Sequence, residues 1–483
     1  GRADGSSRFA RGHRWGVFPS ASVGYDIAAA DYFKALGTPF TQMKLRLSYG
    51  RLGNQNGAGL YDYLGVMNLN PSNPNAWILP GAASAASKGT VALTPGMISP
   101  NITWEKVDNA NIGLDISLWN DRFNIVFDAY QRTTRDMIGP AEAIPSISGI
   151  APQDRAKVNN ATLRNRGWEF SISWRDALEN GFHYSAGFNL FDYRSVVTEY
   201  NNPEGLIFNN HTGLDANKGY YVGMDLGEIW GYKADDLFMS ESEVSEYLSR
   251  VDPSFFKPAS QWKPGDLRFE DSNSDGKVDP GKGTLEDHGD LMIIGNTTPR
   301  FSFGLNLSLG YKGFEVTALF QGVGKRDFPM AGSTYLFGGR NYFKTHLDHY
   351  TAENPSGWLP RLTNGAGAGD ADWKVNSCYN TTRYLLDAAY IRLKNLSVSY
   401  SFNDKVLKKM HLAGLRIYLT CDNVFTIDSL PDCFDPETIN IVNTWAGGSL
   451  AAAPALTSPL TQNGNAKVYP LSRTVALGLD ITF

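Results

Sequence analysis

From Phe301 to Tyr311 every second residue is apolar: Phe301, Phe303, Leu305, Leu307, Leu309 and Tyr311. Ser302, Gly304, Asn306, Ser308 and Gly310 stand between them. After Lys312-Gly313 the alternation resumes at Phe314, Val316, Ala318 and Phe320. A period of two with one apolar face predicts β-strands, and the short break predicts a hairpin turn. The same pattern recurs along the whole chain. It predicts eleven strands at about 15–27, 42–50, 105–118, 122–137, 161–174, 181–198, 299–311, 313–323, 388–402, 413–424 and 472–483. Ile391 and Leu393 fall out of phase with Leu396 onward, so a bulge is expected near Lys394-Asn395. The last strand runs to the final residue, with Val475, Leu477, Leu479, Ile481 and Phe483 on one face.

The connections sort by length. Short turns at Trp119–Arg122, Arg175–Gly181, Tyr311–Gly313 and Asn403–Gly414 alternate with long segments at roughly 51–104, 138–160, 199–298, 324–387 and 425–471. Aromatic residues crowd the short-turn side: Trp119, Phe123, Trp174, Phe182, Tyr311, Phe314, Phe402 and Phe483. Short turns at one end, long loops at the other and an aromatic row between strand and turn predict a transmembrane antiparallel β-barrel of the bacterial outer membrane. In that reading the terminal strand pairs with the first strand to close the barrel. Glu169, Asn189, Asn306 and Gln321 point to the lumen.

Composition narrows the class further. Aromatics make up 12% of the 483 residues and charged residues only 19%, with a net charge of −5. No basic stripe is present, so nucleic acid is not an expected partner. No apolar run reaches the roughly 18 residues of a spanning helix, which leaves strands as the means of crossing a membrane. Cys378, Cys421 and Cys433 are too few for a disulfide framework. A Cys378–Cys433 bridge and free thiols both stay open.

Several stretches carry a more specific signal. They include "LRLSYGRLGNQ" (Leu45–Gln55), "WEKVDNANIGLDISLWNDRFNIVFDAYQRTTRDMI" (Trp104–Ile138), "NRGWEFSISW" (Asn165–Trp174) and "EIWGYKADDLF" (Glu228–Phe238). "GDLRFEDSNSDGKVD" (Gly265–Asp279), "IIGNTTPRFSFGLNLSLGYKGFEVTALFQG" (Ile293–Gly322), "YIRLKNLSVSYSF" (Tyr390–Phe402) and "DNVFTI…DPE" (Asp422–Ile427, Asp435–Glu437) complete the set. In order and over nearly the whole chain, these resemble the SusC/RagA family of TonB-dependent outer-membrane transporters of Bacteroidetes. The resemblance implies a barrel of about 22 strands enclosing a plug. It implies import of glycan oligomers or peptides, driven through TonB, with a SusD-like lipoprotein as the outer lid. Loops would face outward and the C-terminus the periplasm. Residues 1–483 then correspond to the C-terminal part of the barrel, beginning in an external loop. The plug and the first half of the barrel, with the TonB-contacting segment, would come from a companion polypeptide, cleaved or separately encoded, or from a further part of the same chain. A non-transporting surface-binding or adhesion barrel is the second reading. No enzymatic constellation has a persuasive context, so no catalytic residue is assigned.

Two groups of candidate site residues remain. "DSNSDGKVD" places Asp271, Asn273, Asp275, Gly276 and Asp279 at positions 1, 3, 5, 6 and 9 of an EF-hand-like loop, with Lys277 offering its carbonyl. Position 12 is Lys282, so Asp287 or Asp290 is expected to stand in for the missing bidentate ligand. The expected ion is a structural Ca²⁺, or Mg²⁺, and the alternative is a metal-free turn. The second group is the loop aromatics Trp77, Trp262, Tyr335, Phe337, Tyr342, Phe343, Trp358, Trp373 and Trp445. Such rings stack on sugars, grip peptide side chains or dock a lid protein, or else they pack within the loops.

Overall fold

A computed structural model of the chain was analysed. It describes residues 1–60, 62–65, 69–70, 91–92, 97–140, 156–203, 205, 207, 220–234, 236–330, 344–363, 371–373, 375–376, 380–432, 434–439 and 470–483. Eleven strands form one sheet: β1 (Ser20–Asp26), β2 (Phe40–Asn54), β3 (Glu105–Leu118), β4 (Phe123–Pro140), β5 (Lys157–Ala177), β6 (Phe182–Glu199), β7 (Arg300–Tyr311), β8 (Phe314–Lys325), β9 (Tyr390–Ser401), β10 (Gly414–Asp428) and β11 (Thr474–Thr482). Each strand pairs only with its neighbours in sequence, antiparallel throughout. The sheet is therefore an up-and-down meander, and every expected strand is present in it. One boundary differs. Trp15–Phe18 leaves the sheet to pair with Arg2–Gly5, and Pro19 separates it from β1. Phe18 turns inward onto Trp104 at a ring distance of 5.5 Å, which draws this segment away from the barrel wall.

The register gives the two faces opposite chemistry. One unbroken row crosses ten strands: Phe40, Leu118, Phe123, Trp174, Ala186, Leu307, Ala318, Leu396, Cys421 and Val475. On the other face Gly187, Asn306 and Leu319 stand in one row, and Asn189, Gly304 and Gln321 in the next. The apolar face is bare: Leu477 is 77% exposed and Phe483 92%. A large aliphatic side chain left in water forgoes about 1.5–3 kcal/mol of burial. A belt of them is tolerable only against lipid.

Turn chemistry sets the register. Lys312 and Gly313 both have positive φ, 45° and 90°, as a two-residue primed hairpin turn requires. Trp119, Asn120 and Asp121 do the same at the β3–β4 turn. The β9–β10 connection holds a short helix, Asp404–Met410, which Asn403 caps by accepting a hydrogen bond from the Val406 amide at 3.2 Å. The aromatic row is continuous through contacts such as Trp119–Trp174 at 5.7 Å and Phe314–Tyr400 at 4.5 Å. The expected bulge lies between Leu393 and Asn395, with a matching shift between Leu319 and Phe320 on β8.

Within these eleven strands the last does not meet the first, so the closing role expected of Val475, Leu477, Leu479, Ile481 and Phe483 needs a strand beyond them. β11 and β1 lie at opposite edges of the sheet, and among the described residues neither outer edge has a strand partner. The eleven-stranded sheet is thus open, with β1 and β11 as its two edges. No described helix is long and apolar enough to cross a membrane.

Two substitutions distinguish the faces. Leu305→Arg should cost about 2–4 kcal/mol at mid-membrane depth and abolish heat-modifiable gel mobility in outer-membrane fractions. Asn306→Lys, one residue on and facing the lumen, should leave that mobility unchanged.

Candidate functional site

The long-loop end is a folded body of its own. Segments between β6 and β7, β8 and β9, and β10 and β11 share one apolar core that includes Tyr232, Phe238, Phe269, Phe328, Leu359, Tyr384 and Phe434. Phe256 stacks on Phe269 at 4.2 Å. The helix Glu241–Arg250 is capped by Ser240, whose hydroxyl accepts from the Glu243 amide, and the Glu243 carboxylate accepts from the Met239 amide just before the cap. Its Val244 and Tyr247 pack into the core. Burial pushes the Tyr247 phenol above its ordinary range.

A buried quartet of charges pins three loop segments together. Lys257 and Asp266 are fully buried and 2.6 Å apart. Lys257 also reaches Asp372 at 2.7 Å, and Arg361 reaches Asp266 at 2.7 Å and Asp372 at 2.6 Å. Asn376 donates to Asp266, and its own carbonyl oxygen accepts from the Leu267 amide. Two cations and two carboxylates balance, and the extra hydrogen bonds satisfy the remaining lone pairs, as burial demands. Burial alone would push the Asp372 carboxyl up; Arg361 and Lys257 outweigh it and hold the group below the usual carboxylate range. A second cluster ties the base of the last loop to the barrel. Arg392 pairs with Asp435 at 2.8 Å and Glu437 at 2.9 Å, and Lys394 pairs with Glu437 at 2.7 Å. Asp435 also accepts the amides of Glu437 and Leu471.

The acidic loop is anchored by Val278, which is fully buried in the core. Gly276 sits at φ +82°, the sharp turn its position requires. The carboxylates turn onto the loop's own amides: Asp271 accepts from Asp275 and Gly276, and Asp275 accepts from Lys277. Among the described residues no three acidic, histidine or cysteine side chains converge as they stand into a metal-holding group. Two of the expected ligands serve elsewhere. Asp290 is buried and accepts the amides of Ser272, Asn273 and Asp279, bracing the loop from behind. Asp287 faces Lys282 at 3.5 Å.

The loop aromatics divide. Trp262 is 3% exposed, under the Lys257 ammonium at 4.8 Å, and has no face left for a ligand. This corrects its assignment to a binding surface: the loops form a core, and the ring fills it. Trp358 packs beside that core, 6.2 Å from Tyr384. Trp373 ends the short helix Ala371–Trp373. Trp77, Tyr335, Phe337, Tyr342, Phe343 and Trp445 lie outside the described residues, as do Cys378 and Cys433. Cys421 is a free thiol on the apolar face.

The lumen wall is polar. Arg46 bridges Asp115 at 2.8 Å and Asp128 at 2.9 Å, and Gln321 donates to the Tyr390 hydroxyl. A recess of about 260 Å³ opens between Asn124, Ser171, Asn189 and Asn306. A cavity of about 270 Å³ lies at the loop end of β4–β6, lined by Met137, Leu163, Val197, Tyr200, Tyr220 and Leu226. The quartet and this cavity escape a reading of the sequence. Loop charges are usually solvated, and nothing in "FKPASQWKPGDLRF" (Phe256–Phe269) marks Lys257 or Asp266 as buried.

Residues 1–424 match the family model described as TonB dependent receptor-like, beta-barrel. The chain belongs to that family, an outer-membrane class. Over its whole length it is 27% identical to TonB-dependent receptor P3 of Formosa agariphila, covering 43% of that protein. It is 24% identical to TonB-dependent receptor SusC of Bacteroides thetaiotaomicron, covering 41% of it. The structure of the RagAB peptide transporter superimposes with a TM-score of 0.67 at 20% identity, covering all of this chain and 45% of that one. The chain spans less than half the length of these relatives.

Truncating the quartet exposes its role. Lys257→Ala leaves the buried Asp266 and the partly buried Asp372 with one cation and should destabilise the loop body by about 3–5 kcal/mol. Limited proteolysis should then cut within 240–300 while the barrel strands stay protected. The Asp372 pairing predicts a direction with pH. A depressed carboxyl contributes stability above its unfolded value, about 3.9, and loses it as pH falls through the folded value. The loop body should therefore open to protease in acid below about pH 4 and stay closed at neutral pH.

Proposed function

We propose that this chain supplies wall and outer loops to an importer in the outer membrane of a Gram-negative bacterium. The importer takes up oligomeric nutrients, either oligosaccharides or peptides. A SusD-like surface lipoprotein lids the loop end, and TonB supplies the energy through a plug. The observation that carries this reading is the open eleven-stranded arc with an apolar outer face, a polar inner face and a folded loop body on one end. An arc left open in lipid would expose two rows of unpaired amides and carbonyls, which the membrane does not allow. Companion strands must therefore come from polypeptide beyond these eleven strands, and a plug would come with them. Pairing them doubles the arc to the wide, plugged class of barrel. The resemblance to a transporter described as carrying peptides, and to SusC, supports the assignment. The chain itself would perform no chemistry. Its loops would face outward and the end of β11 the periplasm.

The test is peptide mapping of the detergent-purified particle together with its native mass. A plug-bearing partner and a large lipoprotein in stoichiometric amounts support the proposal. A folded 53.1 kDa chain on its own overturns it.

The same reading includes a weak structural calcium site. Asp271, Asn273, Asp275, Asp279 and the Lys277 carbonyl present hard oxygen donors at alternate positions around a glycine turn, the donor set a Ca²⁺ ion takes. The absence of a bidentate twelfth ligand places its affinity toward the millimolar end of that range. When bound, the ion would stiffen the loop against the core. Millimolar Ca²⁺ should slow proteolysis within 268–290, EGTA should reverse the effect, and Asp275→Ala should abolish it. Equal cleavage with and without Ca²⁺ would leave the loop a metal-free turn.

A further inference from the structure

Above the apolar belt, the outer face of β2–β6 changes character within two residues. Ala129, Trp168 and Asp192 share one row, and the next row toward the loop end is Tyr49, Ala110, Gln131, Arg166 and Arg194. Rows two residues apart along a strand are separated by about 7 Å. The row beyond holds Arg51, Asp108, Thr133 and Arg164. All of these lie on the face that carries Leu45, Leu114, Phe127, Phe170 and Leu190 further down.

Arg166 and Arg194 are directly opposite each other on β5 and β6. Like charges in that position repel and weaken the pair unless something neutralises them. The neutralisation inside the chain is partial. Arg194, whose side chain is 61% exposed, reaches Asp225 at 2.6 Å. Arg166 is exposed and, among the described residues, donates to the neutral Gln131 alone, at 2.7 Å. Among the described residues Arg164 and Arg166 have no carboxylate partner. Arg51 and Arg135 share the single carboxylate of Asp108. The rim is basic on a chain whose net charge is −5.

We propose that Arg164, Arg166 and Arg194 bind the phosphate groups of a phosphorylated lipid in the outer leaflet. Two neighbouring guanidiniums offer paired donors that suit a phosphate's oxygens and relieve their mutual repulsion. Trp168, Phe170 and Leu190 immediately below offer the surface for acyl chains. The ligand is thus an amphiphile that carries its anionic charge within about 7 Å of its hydrocarbon. A free anion would use the arginines and leave the belt idle. The inference rests on the outer-membrane placement proposed above, with the long loops outside.

The test uses the complete transporter purified from outer membranes and delipidated, probed by native mass spectrometry with diphosphoryl lipid A and with the same lipid dephosphorylated. Wild type should retain the diphosphoryl form at least tenfold better. A triple variant, Arg164→Gln, Arg166→Gln and Arg194→Gln, should lose that preference. Arg122→Gln with Arg175→Gln, on the opposite rim, should keep it. Heat-modifiable mobility confirms that each variant is folded. Equal retention of both lipids by wild type, or an undiminished preference in the triple variant, overturns the inference. So does competition by inorganic phosphate equal to that by the lipid. Membrane fractionation separates the two failures: a chain absent from the outer membrane overturns the placement, whereas an embedded chain without phosphate preference overturns only the lipid site.

Discussion

Every backbone amide and carbonyl inside a lipid bilayer must find its partner within the protein, because no water is there to supply one. That constraint organises this molecule. It explains why eleven strands follow one another in strict neighbour order, and why the paired runs reach 14 residues in β3 and 21 in β5. It also explains why the two free edges matter. In water an open edge is a nuisance that a lysine or a proline can blunt. In lipid it is an unmet requirement, so the eleven strands read as part of a larger closed wall.

The sheet inverts the usual arrangement of a folded chain. Its apolar side chains are exposed and its polar side chains face inward, while the ordinary buried core sits off the sheet, in the loop body. The two parts are held together by different forces. The wall relies on backbone pairing and on lipid around its belt. The loop body relies on aromatic packing in water, locked by the Lys257, Asp266, Arg361 and Asp372 quartet. A buried pair of charges seldom adds stability over an apolar replacement, but removing one member is costly. Such a quartet therefore specifies how two loops meet more than it strengthens them. The Arg392, Asp435 and Glu437 cluster does the same at the junction between loop and strand.

The outer face is graded along the strands. Aromatics gather at the short-turn rim, aliphatics fill the middle, and tyrosine and arginine take over toward the loops. Each zone meets a solvent of matching polarity, and the position of the bilayer follows from the side chains alone.

The strand pattern was legible in the sequence because the signal repeats every two residues and each repeat reports which side of a sheet it faces. The eleven strands, the hairpin at Lys312-Gly313, the bulge near Asn395 and the two opposed faces all follow from local periodicity and turn chemistry. Long loops carry no such period. Trp262 looked like a ligand-facing ring and is instead a core residue, because Phe238, Tyr247, Phe269 and Lys257 of its own loop close around it. Asp290 was expected at the loop as an oxygen donor, but that it accepts three amides of the loop it supports was not legible. The separation of Trp15–Phe18 from β1 depended on the Trp104 ring, about 90 residues away, to which Arg14 also contributes a carbonyl. Alternation along a strand is a local property, and a reader of the sequence can see it. Which loop side chains meet, and which charges lose their water, depends on contacts between residues far apart in the chain, and only the tertiary structure decides those.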